Sequence, residues 1–184
     1  MDTKLVIAYY SNEGSTAKVA AGLAQATGGE LRRLNIAGKV GPGAIFAALL
    51  GIGARLVDTD LSLDPDDAVV LMTPVWAGAP APASTSFIRQ ARLQGKPVYF
   101  VTVGAGDTNP KAVAALEKRL ASRGALVVGH KEIRGKMMAM ARAKSDPKAA
   151  QPTQPDPTDE ELAAAGAALA GAVVSALAAA GVAQ

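Results

Sequence analysis

The sequence predicts an α/β protein, a three-layer αβα sandwich around a five-stranded parallel sheet. Three observations carry the prediction. Five strand-like runs, opening at Lys4, Glu30, Ala68, Pro97 and Ala125, alternate with helix-patterned segments. The runs from Lys4, Ala68 and Pro97 are apolar almost throughout, as strands buried on both faces must be. Each connection is long enough for a crossover between parallel strands. At 184 residues, 49% of them apolar, the chain suits one good core and is short for two. It is read as a single domain, 1–184, interrupted by a basic, Met- and Pro-rich insertion at about 131–157.

Lys4 to Tyr10 is the first strand. The polar turn Ser11-Asn12-Glu13-Gly14-Ser15-Thr16 follows, and then a helix to about Thr27 with Val19, Leu23 and Ala26 on one face. Gly28-Gly29 stops that helix. Glu30 to Ile36 reads as a second strand, and Arg32 and Arg33 mark it as a partly exposed edge. After a Gly- and Pro-rich loop, Ala44 to Leu56 reads as a short core helix carrying Ile45, Phe46, Leu49, Leu50 and Ile52, weakened by Gly51 and Gly53. Leu61 to Asp67 is an acidic turn.

Ala68 to Thr73 is the third strand. It runs into a Pro-bracketed loop, Pro74-Val75-Trp76-Ala77-Gly78-Ala79-Pro80-Ala81-Pro82, and a helix holding Phe87, Ile88 and Ala91. Pro97 to Val103 is the fourth strand, with proline allowed at its first position. The loop Gly104-Ala105-Gly106-Asp107-Thr108-Asn109 leads into a helix from Pro110 to Arg123, with Val113, Leu116 and Leu120 on one face. Ala125 to Gly129 begins the fifth strand. Lys131 to Lys148 is basic and Met-rich, and Ser145 to Pro157 has linker composition. The insertion reads as a solvated loop whose methionines cover an exposed flank; a lid, an arm onto a partner subunit and partial disorder are the alternatives. Thr158 to Glu161 forms a capping box, and Leu162, Leu169, Val173 and Leu177 trace the buried stripe of a last helix.

Composition narrows the function. There is no cysteine, so disulfides, thiolate nucleophiles and thiolate metal sites are excluded. His130 is the sole histidine and lies past the fifth strand, so no Ser-His-acid set exists, and it is read as structural. The net charge of +3 is mildly basic, but basic residues are not interleaved with aromatics, so nucleic acid is not expected as a partner. The opening Met1-Asp2-Thr3-Lys4 lacks the apolar stretch of a signal peptide, and a cytoplasmic location is expected. The Ala-rich C-terminus is long enough to span a bilayer but only weakly apolar, and acidic at its entry. It is read as a packed helix, with no membrane partner.

The turn at residues 11–16 is the first chemical signal. Between strand and helix, its free N–H groups and the helix dipole favour an anion, and Ser11, Ser15 and Thr16 add hydroxyl donors. A Walker loop would carry Lys before Ser or Thr, and a dinucleotide fingerprint would carry three spaced glycines. Neither is present. A hydroxyl-rich loop with one glycine and no cation remains.

That loop resembles the phosphate loop of the flavodoxin family, Ser/Thr-x-Thr-Gly-x-Thr, which holds the phosphate of FMN. Ser11, Gly14 and Thr16 match it, and Glu13 departs from it by placing a carboxylate near a dianion. The segment Thr73-Pro74-Val75-Trp76-Ala77-Gly78 resembles the family's loop over the flavin ring. There an aromatic covers one ring face, and a glycine lets a peptide turn toward the reacting nitrogen. Trp76 and Gly78 are the matching positions. The third loop, from Gly104, is Gly-rich but lacks the tyrosine the family often has there, which leaves the other ring face open to substrate. A receiver domain would need an acidic pair after the first strand, where Ser11-Asn12 stand.

The resemblance implies strand order 2-1-3-4-5 and an FMN site at the switch between strands one and three, as in the flavodoxin example of doubly wound sheets. The implied cofactor-binding residues are Ser11 to Thr16 (Ser11, Asn12, Glu13, Gly14, Ser15, Thr16), Pro74, Val75, Trp76, Ala77 and Gly78, and Gly104, Ala105, Gly106 and Asp107. No catalytic side chain and no metal are expected, because the flavin carries the electrons. The implied function is an FMN-binding oxidoreductase or electron-transfer protein. It would pass electrons from NAD(P)H or a reductase to a small acceptor such as a quinone, and a homodimer is compatible. The alternatives are an electron shuttle between proteins and a cofactor-free binding module of the same fold.

Overall fold

The computed structural model describes residues 4–38, 40–106, 108–137 and 155–181. Its chain order is β1 (Leu5–Tyr9), α1 (Ser15–Thr27), β2 (Glu30–Arg33), α2 (Pro42–Leu49), β3 (Ala68–Trp76), β4 (Ala79–Pro80), α3 (Pro82–Gln90), β5 (Pro97–Gly104), α4 (Pro110–Ala121), β6 (Leu126–Arg134), α5 (Asp159–Ala168) and α6 (Ala170–Ala179). Five strands pair in parallel in the order β2-β1-β3-β5-β6, and the two-residue β4 pairs antiparallel with β3. With β4 set aside, this is the doubly wound order expected.

Alternation along the buried strands divides the core into two layers. Ala8, Val69, Leu71, Val98 and Phe100 point to one face, where α3 and α4 bring Phe87, Ile88, Leu116 and Leu120. Ile7, Val70, Met72, Tyr99 and Val101 point to the other, where α1 brings Val19, Ala20 and Leu23. The expected stripe Leu162, Leu169, Val173 and Leu177 closes this second face. Thr158 caps α5 as the predicted box: its hydroxyl accepts from the Glu161 N–H at 3.1 Å and its own N–H donates to the Glu161 carboxylate at 2.7 Å. The last helix is interrupted at Leu169, whose N–H donates to the Gly166 carbonyl. The helical stretch Asp159–Ala179 is long and apolar enough to cross a membrane by length and composition, but here its apolar stripe seals the sheet.

Several boundaries differ from the sequence reading. On α1, Ala26 is exposed, and Ala20 shares the buried face with Val19 and Leu23. β2 ends at Arg33, the partner of Tyr9 at the end of β1, and Ile36 makes only an isolated bridge to Leu56. β2 is the partly exposed edge strand expected, with Arg33 exposed, but Arg32 is half-buried. Its guanidinium is covered by an ion pair to Glu30 at 2.8 Å and a contact to the Ser62 carbonyl.

The helix expected over 44–56 is α2, which starts earlier and stops at Leu49. It is not a core helix. Phe46, Leu49, Leu50 and Ile52 are all more than half exposed, and only Ala48 is buried within it. β3 does not end at Thr73. It continues through Pro74 and Val75 to Trp76, with Pro74 in register with Val103 of β5, and then turns back as a hairpin. β6 likewise runs on to Arg134, which removes Lys131–Arg134 from the expected insertion. Most of that insertion, including Met138 to Lys148, lies outside the described residues, as does Asp107.

Candidate functional site

The loops after β1, β3 and β5 open on the same edge of the sheet, at the switch between β1 and β3. They enclose a solvent-open cleft of about 670 Å³. The first loop contributes Ser11, Asn12, Glu13, Ser15 and Thr16, and the end of β3 with its hairpin turn contributes Pro74, Val75, Trp76 and Ala77. The end of β5 contributes Val103 and Gly104, and the loop after it contributes Ala105. The structure therefore brings together eleven of the fifteen residues picked from the sequence. Gly14, Gly78 and Gly106 are not on the cleft wall, and Asp107 lies outside the described residues.

The first loop is shaped for an anion. Gly14 caps α1 at φ 96°, where a side chain would be strained, and its N–H donates to Ser11 Oγ at 3.1 Å. Ser15 Oγ accepts from the Lys136 N–H at 3.2 Å. Both hydroxyls thus accept from backbone N–H groups, and both serines line the cleft. The first N–H groups of α1 have no partner within the helix and carry the positive end of its dipole. Thr16 is buried and reaches the same wall. Glu13 is exposed.

The β3–β4 turn acts through backbone shape. At the β3–β4 turn Ala77 has φ 49° and Gly78 has φ 81°, the paired positive angles of a tight hairpin connection. The turn holds Val75 and Ala77 on the cleft. Thr73 fastens its base, its hydroxyl accepting from the Ala81 N–H at 3.2 Å.

Trp76 is where the sequence reading needs most correction. It was expected in a loop with one face of its indole offered to a flat ring. It stands instead at the end of a strand, only 2% exposed, in the core layer with Tyr10 and Phe87. Its ring meets Tyr10 edge-on, with centroids 5.8 Å apart and planes at 76°. It reaches the cleft only as part of the wall, because the hairpin folds the indole inward. Burial also raises the Tyr10 phenol above its usual pKa, an effect larger than the opposing pull of Arg33, so the group stays neutral.

Three lining residues escaped the sequence reading: Val103, Lys136 and Met137. Val103 was placed in the strand core, and its position at the mouth follows from where β5 ends. Lys136 and Met137 arrive from β6, whose exit crosses back over β5. The Gly135 N–H donates to the Gly104 carbonyl at 2.6 Å, and a Cβ at Gly135 would sit 2.7 Å from the Val103 side chain. The expectation of a cradle without a cation holds for the loop itself but not for the cleft. The Lys136 ammonium is 2.7 Å from Asp159, which Lys18 also reaches at 3.2 Å. Hydrogen bonds from Lys136 and Lys18 hold the Asp159 carboxyl below its usual range. Among the described residues there is no cluster of metal-ligating side chains.

The fold and this edge define a flavodoxin-like α/β protein with a phosphate-accepting cleft at the switch point. Residues 7–136, more than half of the chain, match the NADPH-dependent FMN reductase family, and the chain belongs to that family. FMN is accordingly its cofactor, and the donor set fits it: backbone N–H groups and hydroxyls at a helix start, beside a cleft with an apolar wall. A flavoprotein from Bacteroides uniformis aligns with TM-score 0.62 at 18% identity, over 78% of this chain and 97% of that one. A flavoprotein from Lactobacillus acidophilus, solved with FMN, aligns with TM-score 0.57 at 22% identity, over 71% and 93%. Flavodoxin 2 from Bacillus cereus aligns with TM-score 0.54 at 21% identity, over 94% and 99%. At these identities the three likenesses show the fold. No curated protein sequence matches the chain.

Proposed function

We propose that this protein takes a hydride from NAD(P)H onto bound FMN and delivers the electrons to a small acceptor such as a quinone, in the cytoplasm. One observation carries the reading. The anion cradle and the apolar wall belong to one cleft, and that cleft stays open to solvent where a second reactant must enter. Bound FMN supplies the hydride and electron chemistry. The chain supplies the rest. Ser11, Ser15, Thr16 and the N–H groups of α1 fix the phosphate. The hairpin from Pro74 to Ala77 and the segment Val103 to Ala105 line the cleft and would flank the ring. The backbone of Ala77, Gly104 and Ala105 lies on the same wall and would offer polar groups to the ring's edge. No side-chain acid or base is assigned.

The test is spectroscopic. The purified protein is loaded with FMN, mixed with NADPH or NADH without oxygen, and followed at the flavin band. Bleaching by the nicotinamide alone, reversed by a soluble quinone, is the expected result. Bleaching that requires an added partner reductase overturns it in favour of a shuttle between proteins. Thr16→Ala is the cleaner probe of the site and is expected to weaken FMN binding; Trp76→Ala also removes a core side chain.

A further inference from the structure

Lys136 stands out in the cleft because nothing in the phosphate loop supplies a cation. The main chain of Lys136 is fastened at the cradle, its N–H donating to Ser15 Oγ at 3.2 Å. Its neighbour is fastened too, the Met137 N–H donating to Asp156 at 3.3 Å. The backbone is thus fixed on the cleft wall, and only the four-carbon stem is free to swing. The ammonium rests on Asp159 at 2.7 Å, but that pair is exposed, with side-chain exposures of 36% and 46%. Exposed pairs of this kind are weak and exchange easily. Asp159 keeps a second cation, Lys18, at 3.2 Å, so it is not stranded when Lys136 leaves.

The geometry points to Lys136 as a phosphate-recognition residue that exchanges the Asp159 carboxylate for the phosphate of the bound flavin nucleotide. It confers preference for phosphorylated over unphosphorylated flavin. The inference rests on the FMN reading of the cleft. Attraction between an ammonium and a dianion exceeds that between the same ammonium and an exposed monoanion, which gives the exchange its direction. Asp159 is then a competitor that sets how much of that attraction appears as affinity.

The experiment titrates FMN and riboflavin separately into the wild type, Lys136→Gln, Lys136→Arg and Asp159→Asn, following flavin fluorescence at low and high salt. Lys136→Gln should lose FMN affinity by roughly tenfold, as for one charge-assisted contact, with riboflavin affinity unchanged. Lys136→Arg should keep most of the FMN affinity. Asp159→Asn should bind FMN more tightly than wild type, again with riboflavin unchanged. Salt should weaken FMN binding to the wild type more than to Lys136→Gln. Equal FMN affinity in wild type and Lys136→Gln overturns the inference and leaves the cofactor site standing. A parallel loss of FMN and riboflavin also overturns it, because it shows a structural role for the strap. A wild type that binds neither flavin removes the cofactor reading, and this inference falls with it.

Discussion

Ala77 holds a left-handed backbone at φ 49°, a conformation that costs a residue with a Cβ about 1 kcal/mol or more. The tight β3–β4 hairpin requires it, since both central residues of such a turn take positive φ. Ala77→Gly should raise the unfolding free energy by about 0.5–1 kcal/mol, the relief of strain outweighing the freer unfolded chain, as read from the urea midpoint. Gly78→Ala should lower it by a similar amount or more, because it puts the second turn residue under the same penalty. Strain of this kind gathers where backbone is pinned for function, and here it fixes the wall that carries Val75 and Ala77. Trp76 beside it does different work. Its indole fills the core layer against Tyr10, so Trp76→Ala should cost about 3–5 kcal/mol of stability with or without FMN present. A variant that loses flavin only because it unfolds says nothing about stacking, and stability should be measured alongside affinity.

Among the elements, α1 and α5 make the closest contact. A Cβ on Gly22 would fall 2.0 Å from the Ala163 carbonyl oxygen, and one on Gly166 would fall 2.0 Å from the Val19 carbonyl oxygen. Two glycines therefore let the helices touch backbone to backbone, and the obstruction is main chain, which cannot turn aside. Gly166→Ala and Gly22→Ala should each destabilise by about 1–3 kcal/mol or more, although alanine favours an isolated helix by up to about 1 kcal/mol. The thermal midpoint of each variant checks this, and a gain in stability in either would show that the helices separate freely. α2 gives the opposite expectation. Phe46 is 63% exposed, so Phe46→Ser should change the unfolding free energy by about 0.5 kcal/mol or less, where a core phenylalanine would cost several. The Ala-rich pattern of the last helix gave its buried stripe correctly, because one face of a regular helix is a local property. The apolar run over 44–56 could not say whether anything covers it. Periodicity reports which residues are apolar and is silent on the neighbour they meet.

At the scale of the whole molecule, what was legible followed distance along the chain. The turn at residues 11–16 sits between its own strand and helix, so its glycine, its hydroxyls and its place on the sheet edge could all be read locally. The extension of β3 through Pro74 could not, because it depends on register with Val103, in a strand whose pairing no local pattern sets. Lys136 is the extreme case: it bonds Ser15 across 121 positions of sequence, and only the full length of β6 and its return over β5 brings it there. Charges that join distant segments in this way also set the response to acid. Glu30 of β2 is held down to about 2, chiefly by its hydrogen bond from Arg32 and then by Lys4 beside β1, with Lys4 at 2.8 Å. Asp159 is held down by Lys136 and Lys18. In both, the folded pKa lies below the unfolded one, so the unfolded chain binds protons first as pH falls. The stability they contribute is complete above the ordinary carboxylate range and is lost as pH drops through it toward 2. Because Glu30 is partly exposed, the contribution is modest at neutral pH. Glu30→Gln should therefore unfold at a slightly lower urea midpoint than wild type at pH 7, and the gap should narrow markedly at pH 2.5, where Glu30 of the unfolded chain is protonated and the folded carboxyl, at about 2, is only beginning to be. Midpoints at pH 7, 4 and 2.5 measure the convergence, and two profiles that stay parallel would show that the ionisation of Glu30 is not linked to folding.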